Sequence, residues 1–453
     1  WTPAGSPYIV QGDITVLAGG SLTIQAGTVV RFASTDGVGS GTDSGRVELI
    51  VNGTLAVTGT AAMPVSFAAQ TGTSSSAWYG IRAMSGSSVS IAGATIQNAS
   101  YAVRSENGAP TLDTTTVSNC QSGAYVAGGS ATITGTIFTG EADAVRMDSG
   151  TATVTSCTLY GNSNAIRAFG GSVVVRNSIV TNNSSYGAYA SGASINLVYS
   201  DFWQNSNGNF GATTGSGYLQ VNPLYVSGSN LRITSSSPCR FAGSTGADIG
   251  ALPYTGDATP GLYGTLWTDT TVSSPTSVPG DLTIAPGVTL TLAAGATLTF
   301  ATSDIMGAYA DTGRAELRVQ GTLVTSGTGA SPVTLTSSGT SSSSWYGVVF
   351  LPGASGSRLA GLILEEASYG LRVEGGAITS ADSMTIRNCQ SGTYVVSGGI
   401  DVENTIYTGN ADAFRVDGGT GSIVGSSTFY GNSNAIRAFG GSVVVRNSIV
   451  TNN

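Results

Sequence analysis

The feature of this chain that most constrains its fold is an internal repeat. Residues 160–183, 24 in all, recur without a single change as residues 430–453, at an offset of 270. Weaker similarity surrounds this block, because Trp78-Tyr79-Gly80 matches Trp345-Tyr346-Gly347 at an offset of 267. The chain therefore contains roughly 1.7 copies of one long unit, and a repetitive architecture is predicted.

A second, shorter period lies inside the long one. Segments such as 172–180 alternate apolar and polar residues, which indicates strands, and turns containing Gly or Asn separate them. Short strands repeated at a constant step favour a coil of parallel strands, whereas the alternative all-β folds, a sandwich or a barrel, require no such step. An all-β parallel β-helix, or β-solenoid, with turns of 21–22 residues is predicted. The marker dipeptides, spaced by 20 to 22 residues with Tyr125-Val126 between them, are Ile81-Arg82, Val103-Arg104, Val145-Arg146 and Ile166-Arg167.

The repeat also predicts the domain organisation. Residues 1–254 are expected to form unit 1, with a closing segment at 222–254. Residues 255–261 read as a short turn-rich linker, and residues 262–453 as an incomplete unit 2. Since Trp1 matches Trp267 and Asn453 matches Asn183 in mid-unit, we expect the parent protein to be longer. The chain is then either a mature secreted segment or a fragment.

Composition excludes several classes of function. All 17 basic residues are Arg, the sequence has no Lys and no His, and the net charge is −8. An acidic chain of this kind is a poor partner for nucleic acid or for an anionic membrane surface. The absence of His and Lys excludes a histidine base, an imidazole metal site and a lysine Schiff base. The four cysteines do not recur as pairs, so we expect buried thiols rather than disulfides.

Several stretches resemble a known family. The segments Ile96-Gln97-Asn98 and Val180-Thr181-Asn182 are similar to the turns of bacterial secreted right-handed parallel β-helix proteins with pectate-lyase-like architecture. Asn222-Pro223-Leu224-Tyr225 and the following residues look like the closing segment of such domains. The resemblance covers essentially the whole chain and implies a fold, an extracellular or bacterial cell-surface location and no particular reaction.

Two sets of residues are candidates for binding. A Gly-rich loop keeps acidic residues in both copies, and oxygen ligands of this kind suit Ca²⁺, although a turn held by Asp–Arg pairs explains the pattern equally well. Aromatic pairs that precede a strand in each copy are candidates for stacking on sugar rings, with packing inside the turn as the alternative. The calcium candidates are Asp36, Asp43, Asp304 and Asp311, and the glycan-contact candidates are Trp78, Tyr79, Trp345 and Tyr346.

Charged pairs two residues apart, such as Arg104 with Glu106 and Arg146 with Asp148, should point out of one strand face. This stripe is either a glycan-binding surface or an array of ion pairs that offsets stacked like charges. The acidic grouping around Glu141 does not recur as a set, since Asn410 stands in its place in the second copy. No catalytic residue and no cofactor other than possible calcium are therefore predicted.

From these patterns the chain is predicted to be a non-catalytic structural or adhesive rod. It is expected to associate with itself end to end or laterally, to have cell-surface glycans as possible partners and to insert into no membrane. The alternative is a carbohydrate-binding protein or an enzyme similar to polysaccharide lyases. Release of unsaturated uronate from a polysaccharide would distinguish a lyase-like enzyme from a non-catalytic rod.

Overall fold

The computed structural model describes residues 1–419 and 422–453, without the side chains of residues 422–424. Its regular structure is almost entirely β, apart from a 3₁₀ turn at Pro3–Gly5. Each turn of the chain contributes one short strand to each of three sheets, and the strands of these sheets pair in parallel with the equivalent strands of the next turn. We call these sheets 1, 2 and 3, in the order in which a turn visits them. The predicted parallel β-helix is confirmed.

Unit 1 contains one set of three sheets, in which Ser122–Thr134 spans sheets 1 and 2. Sheet 1 comprises Ile14–Val16, Glu48–Val51, Trp78–Met84, Ala99–Gly108, Ser122–Thr134, Asp143–Met147, Asn164–Ala168, Ala188–Ala190 and Asn209–Phe210. Sheet 2 adds Ser21–Gln25, Thr54–Thr58, Ser88–Ala92, Thr111–Asp113, Thr151–Thr155, Ser172–Arg176, Ser194–Val198 and Thr213–Ser216. Sheet 3 comprises Tyr8–Val10, Val29–Phe32, Val65–Ala69, Ala94–Gln97, Thr116–Ser118, Ile137–Thr139, Thr158–Tyr160, Ile179–Thr181 and Asp201–Trp203. An antiparallel hairpin, Tyr225–Ser227 with Asn230–Ile233, follows.

Unit 2 contains a second set, in which Ala367–Asp382 spans sheets 1 and 2. Sheet 1 comprises Gly264–Leu266, Leu282–Ile284, Glu316–Val319, Trp345–Phe350, Ala367–Asp382, Ser391–Gly399, Asp412–Val416 and Asn434–Ala438. Sheet 2 adds Thr270–Val272, Thr289–Leu292, Thr322–Ser326, Ser357–Ala360, Asp401–Glu403, Ser422–Gly425 and Val443–Arg446. Sheet 3 comprises Thr276–Val278, Thr297–Phe300, Val333–Ser337, Leu362–Glu365, Thr385–Arg387, Ile406–Thr408, Thr428–Tyr430 and Ile449–Thr451.

The chain divides into two compact units. Unit 1 consists of residues 1–233 and 239–255, and unit 2 of residues 234–238 and 256–453. The short piece 234–238, which the sequence analysis places in the closing segment, belongs to unit 2 in this division. Within unit 2 it is held by the N–H of Thr265, which donates to the carbonyl of Ser236 at 2.7 Å.

The core of each unit is a stack of apolar side chains from successive turns. In sheet 2 of unit 1 one column of inward-facing residues is buried at every turn. The alternation of apolar and polar residues along each strand turns an apolar side chain inward, where it stacks on the equivalent side chain of the preceding turn. Such a stack at a strand spacing of about 4.8 Å excludes water from the interior. The column is Ile24, Val57, Ile91, Leu112, Ile133, Val154, Val175 and Leu197.

The tight turns between sheets use residues that tolerate a left-handed backbone. Asn98, Asn119, Asn177 and Asn182 have φ between 52° and 64°, a region in which Asn is enriched and most other side chains are not. Each such residue redirects the chain toward the next sheet. The cysteines are buried thiols, as predicted.

Candidate functional site

The outward face of sheet 1 in unit 1 carries a continuous column of arginines and aromatic rings. The in-register parallel pairing aligns one outward position of each strand with the same position one turn later, about 4.8 Å away. We call this set the arginine–aromatic column. Its members are Arg82, Arg104, Tyr125, Arg146, Arg167, Tyr189 and Phe210.

The guanidinium groups of the column lie against neighbouring rings. The Arg104 guanidinium carbon is 5.1 Å from the ring centre of Tyr101 and 5.0 Å from that of Tyr125. Arg146 approaches the other side of Tyr125 at 5.0 Å. Each such cation–π contact contributes about 0.5–1 kcal/mol at an exposed position. The contacts therefore hold rings and guanidinium groups in a fixed order along the face.

Carboxylates balance these arginines. Arg82 is nearly buried and binds two acids, with Nη1 to Glu48 Oε2 at 2.6 Å and Nε to Glu106 Oε1 at 2.8 Å. The hydrogen bonds from Arg82 lower the pKa of Glu106, against the opposing effect of burial. Arg104 also pairs with Glu106 at 2.9 Å, and Arg146 pairs with Asp148 at 3.2 Å. The predicted ion-pair array is therefore present, and it leaves this face close to electrically neutral.

The column ends in an exposed aromatic cluster. Tyr189 stacks on Phe210, with ring centres 5.4 Å apart and planes inclined by 15°, and Tyr186 packs against Tyr189 at 5.1 Å. Phe169 joins them under Arg167, whose guanidinium carbon is 4.9 Å from its ring centre. Phe210 is 54% exposed. We call these four rings the aromatic platform, a cluster of mutually inclined rings in which Phe169 and Phe210 are exposed to solvent.

Unit 2 has an arginine–aromatic column at the equivalent positions of its own sheet 1. Arg372, Tyr394, Arg415 and Arg437 align in register. Arg415 lies 4.8 Å from the ring centre of Tyr394 and pairs with an adjacent aspartate at 2.7 Å. The column ends at Phe439, which is 63% exposed and lies under Arg437 at 4.7 Å. Both units thus present the same chemistry on the same sheet.

Two of the four residues predicted to contact glycans do not lie on this face. Trp78 and Trp345 are completely buried. The indole of Trp78 stacks on Phe32 with ring centres 3.9 Å apart, and its N–H donates to the carbonyl of Gln97 at 2.8 Å. The prediction of glycan contact is therefore wrong for both tryptophans, because neither has surface to offer. They fill the interior of a wide turn.

The two tyrosines beside them lie at the inner edge of the column. Tyr79 is mostly buried, its ring contacts Tyr101 edge to face at 5.3 Å, and its hydroxyl accepts a hydrogen bond from Arg104 Nη1 at 2.9 Å. Tyr346 makes the same edge contact with Tyr369 at 5.2 Å. Tyr79 and Tyr346 therefore pack beneath the arginine side chains. Tyr101 and Tyr369 are less buried than these two tyrosines, so a ligand on the face would contact Tyr101 and Tyr369 first.

The acidic loop of unit 1 is held by its own main chain. Asp36 accepts N–H hydrogen bonds from Asp13, Val38 and Ser40 at 2.9–3.1 Å, which lower its pKa. Asp43 pairs with Arg46, and hydrogen bonding from that guanidinium lowers the pKa of Asp43. These contacts correspond to the turn held by Asp–Arg pairs.

The equivalent loop of unit 2 is built in the same way. Asp304 accepts the N–H groups of Asp281 and Met306 at 3.0 and 2.8 Å, and Asp311 pairs with Arg314. Among the described residues, no group of three or more His, Cys, Asp or Glu side chains is arranged to hold a metal ion. Calcium binding by these loops stays a prediction.

Beneath the acidic loop of unit 1 lies a buried polar cluster that sequence reasoning missed. Glu48 is fully buried, and its Oε1 accepts two main-chain N–H groups of the loop at 3.0 and 2.7 Å. Its Oε2 accepts the hydrogen bond from Arg82, which reaches it from the next turn. Asp13 accepts the N–H of Glu48 at 2.7 Å and the hydroxyl of Ser40 at 2.7 Å. The sequence did contain a signal for this cluster, because Asp13 and Glu48 are retained in the second copy as Asp281 and Glu316.

In unit 2 the equivalent cluster lacks two of these donors. Ala308 occupies the place of the serine, and Arg318 binds Glu316 Oε1 at 3.1 Å from the same strand. Asp281 Oδ2 and Glu316 Oε2 are buried and accept no hydrogen bond. Burial, together with the nearby carboxylates of Asp304 and Glu316, raises the pKa of Asp281 to about 10. Asp281 is therefore a neutral acid at pH 7.

A protonated carboxyl beside a second acid is an arrangement that acid–base catalysts use. Asp281 and Glu316 are both fully buried, however, and the ring of Tyr309 lies 3.8 Å from the guanidinium of Arg318 above them. A bound polymer would therefore contact Tyr309 and not the two carboxyl groups. The cluster serves to anchor the loop in the conformation observed.

Residues 77–230 match a family model described as the right-handed β-helix region. The chain folds as a right-handed parallel β-helix. This agrees with the resemblance found in the sequence, as far as the fold is concerned. A comparison with curated protein sequences finds no significant match. Among the described residues, the structure has no helix that is long and apolar enough to cross a membrane.

Among solved structures, the β-helix protein is similar to a PL6 family alginate lyase, determined as a point mutant. The match covers 98% of this chain and 85% of the lyase, with 10% identity and a TM-score of 0.26. The prediction that the chain is not an enzyme is wrong on this comparison, since the matched protein is an enzyme. A likeness this distant does not transfer a reaction or a substrate to the present chain.

Proposed function

We propose that this β-helix protein binds a polysaccharide along the outward face of sheet 1, in an extracellular setting. The observation that carries the proposal is the arginine–aromatic column, which ends in exposed rings and is present in both units. A polymer of repeating sugars is suited to a binding surface that repeats its own groups at a regular step.

The chemistry of the column fits a sugar chain. The C–H faces of sugar rings pack on aromatic rings, which bury a large apolar area with little loss of conformational freedom. Hydroxyl groups of a sugar can donate to the carboxylates and accept from the guanidinium groups. Ion pairs hold both kinds of group in place, and cation–π contacts also hold the guanidinium groups. Because these groups are ordered before binding, a ligand gains their hydrogen bonds at a low entropic cost.

The aromatic platform provides the direct test. We expect Phe210→Ala together with Phe169→Ala to weaken binding of a responsive polysaccharide at least tenfold in isothermal titration calorimetry against a polysaccharide panel. The matched control is Phe241→Ala. Phe241 is also an exposed ring, with the guanidinium of Arg240 at 4.9 Å, but it lies on the closing segment. Equal effects of both changes, or no binding by the unaltered chain, would disprove the proposal.

The same incubations can be read for cleavage. New reducing ends, or the ultraviolet absorbance of unsaturated uronate, would show that a bound polymer is also cut. The lyase-like alternative thereby receives a direct measurement that is independent of affinity.

A structural or adhesive rod that associates with itself remains a prediction. Electron microscopy of the purified chain tests it, since uniform filaments would establish a polymer and dispersed single rods would count against one.

A further inference from the structure

A second surface is the part of the outward face of sheet 3 that the closing segment covers in unit 1. The part of the closing segment that belongs to unit 1, residues 222–233 and 239–254, folds back onto the outward face of sheet 3. Its apolar centre is Ile179, which is only 1% exposed and packs with Ile233, Cys239 and Ile249. Without this cover Ile179 would point into solvent, because it lies on the outer side of its strand.

Polar contacts fix the position of the closing segment. The side chain of Asn177 accepts the N–H of Ser244 at 3.0 Å and donates to its hydroxyl at 3.2 Å. The carbonyl of Asn177 accepts the N–H of Gly250 at 2.8 Å. The Thr158 hydroxyl accepts the N–H of Ala251 at 3.0 Å. One asparagine in a left-handed turn, with φ of 52°, thus holds the segment at two points.

A tyrosine of the hairpin completes the contact. The Tyr225 hydroxyl lies 3.1 Å from the hydroxyl of Thr181, and the ring of Tyr225 meets that of Tyr160 edge to face at 5.8 Å. We call the contacted surface the closing face. It consists of Thr158, Tyr160, Asn177, Ile179 and Thr181.

Unit 2 has the same closing face. Four of its five residues lie in the block that is identical in both copies, and the fifth is also unchanged. Asn447 has φ of 48°, so it presents its carbonyl and side chain as Asn177 does. The face consists of Thr428, Tyr430, Asn447, Ile449 and Thr451.

In unit 2 none of the described residues forms a cover of this kind on the closing face. Ile449 is 62% exposed and Tyr430 is 52% exposed. Ile406, one turn before Tyr430 and two turns before Ile449 on the same sheet, is also exposed. The surface therefore combines an open apolar patch with main-chain and side-chain groups that have defined partners in unit 1.

We propose that the closing face of unit 2 is a docking site for a partner segment with the chemistry of residues 222–254. Such a segment carries a tyrosine on a hairpin, an apolar pair equivalent to Ile233 and Ile249, and main-chain donors equivalent to Ser244, Gly250 and Ala251. The proposal also gives a physical reason for the identity of the repeated block at Tyr160, Asn177, Ile179 and Thr181, because each contacts the segment.

A binding experiment with the whole chain tests this site. We expect a biotinylated peptide of residues 222–254 to bind the chain at a ratio of one to one in biolayer interferometry. Ile449→Asp should weaken binding at least tenfold, and Tyr430→Ala should weaken it severalfold. The matched control is Val444→Asp, which places the same charge on an exposed residue of the same turn in sheet 2. Equal loss with Val444→Asp would overturn the proposal.

A covalent graft covers the case in which the peptide is too disordered to bind in solution. Residues 184–255 are appended after Asn453, with residues 184–221 as the control that adds turns but no closing segment. Hydrogen exchange should slow at the grafted Gly and Ala that correspond to Gly250 and Ala251. Docking in the graft supports the proposal even when the free peptide binds weakly. Failure in both experiments overturns it, as does self-association of the unaltered chain that Ile449→Asp abolishes, since a second copy would then be the occupant.

Discussion

The two units solve one electrostatic problem in two ways. In unit 1 the buried Glu48 receives its cation from Arg82 on the next turn, while in unit 2 the buried Glu316 receives it from Arg318 on its own strand. Ile50 and Val349 fill the positions that the arginines leave. The difference teaches that this fold requires an arginine beside the buried glutamate but does not fix the sequence position of that arginine. An arginine on the same strand and one on the next turn can both reach the carboxylate.

The largest expected effect comes from removing that cation. Arg82→Val leaves Glu48 as an unpaired buried acid, and such a loss costs about 3–5 kcal/mol. Adding Ile50→Arg copies the arrangement of unit 2 and should restore most of the stability. Urea denaturation, with hydrogen exchange to assign the loss to unit 1, measures both. If the double variant is no more stable than the single one, the two arrangements are not equivalent.

A second contrast concerns the stack of polar side chains at the turn that leads into sheet 1. In unit 2, Asn410 donates to the carbonyl of Ile386 and to Asn432, both at 3.0 Å. In unit 1, Glu141 stands in its place, and both of its carboxyl oxygens are buried without a partner. Burial raises the pKa of Glu141 well above its usual value.

We expect Glu141→Asn to stabilise unit 1 by about 1–3 kcal/mol at pH 7, because a buried acceptor without a partner costs about that much. The gain should depend on pH. Since the folded-state pKa is raised, the native chain has the full contribution of Glu141 below its usual pKa near 4.5 and loses it as the pH rises. Thermal melts between pH 4 and pH 8 test this, and a gain independent of pH would contradict it. Asn410→Glu is the reverse control in unit 2.

The smallest expected effect comes from giving the acidic loop of unit 2 the hydroxyl that it lacks relative to unit 1. Ala308→Ser offers Asp281 the hydroxyl that Asp13 receives from Ser40, and one such hydrogen bond contributes about 1 kcal/mol. In the native chain, the contribution of Asp281 is full below the usual pKa of an aspartate and is lost as the pH rises through about 10. A hydroxyl that donates to the carboxylate stabilises its charged form and should lower the pKa of Asp281, so that this loss is complete at a lower pH. Alkaline titrations followed by hydrogen exchange of residues 281–319 measure the shift.

The sequence predicted the fold because a β-helix is specified locally. The alternation in 172–180 and the asparagine turns each act within one turn, so a short window contains the signal. Trp78 was misassigned for the opposite reason. Its stacking partner, Phe32, is separated from it in sequence by a long loop and by the three strands of a complete turn, and no periodicity shows that the indole fills the interior.

The candidate site was only partly predictable. The pairing of Arg146 with Asp148 follows from strand geometry, since the two residues are two apart on one face. The bond from Arg82 to Glu48 joins residues 34 apart, and its existence depends on a loop whose length sets which turns become neighbours. The aromatic platform likewise required the register that aligns Tyr189 with Phe210.

The apolar column that begins at Ile24 has a consequence for how the length of this protein can change. Each side chain in it contacts mainly the residues one turn before and one turn after, so a complete turn can be gained or lost without altering any other contact pattern. Deleting a single residue within Ser172–Arg176 would instead turn Val173 or Val175 toward solvent. The length of each unit along its own stack therefore changes in steps of one turn, and an insertion of any other size must be accommodated in a loop.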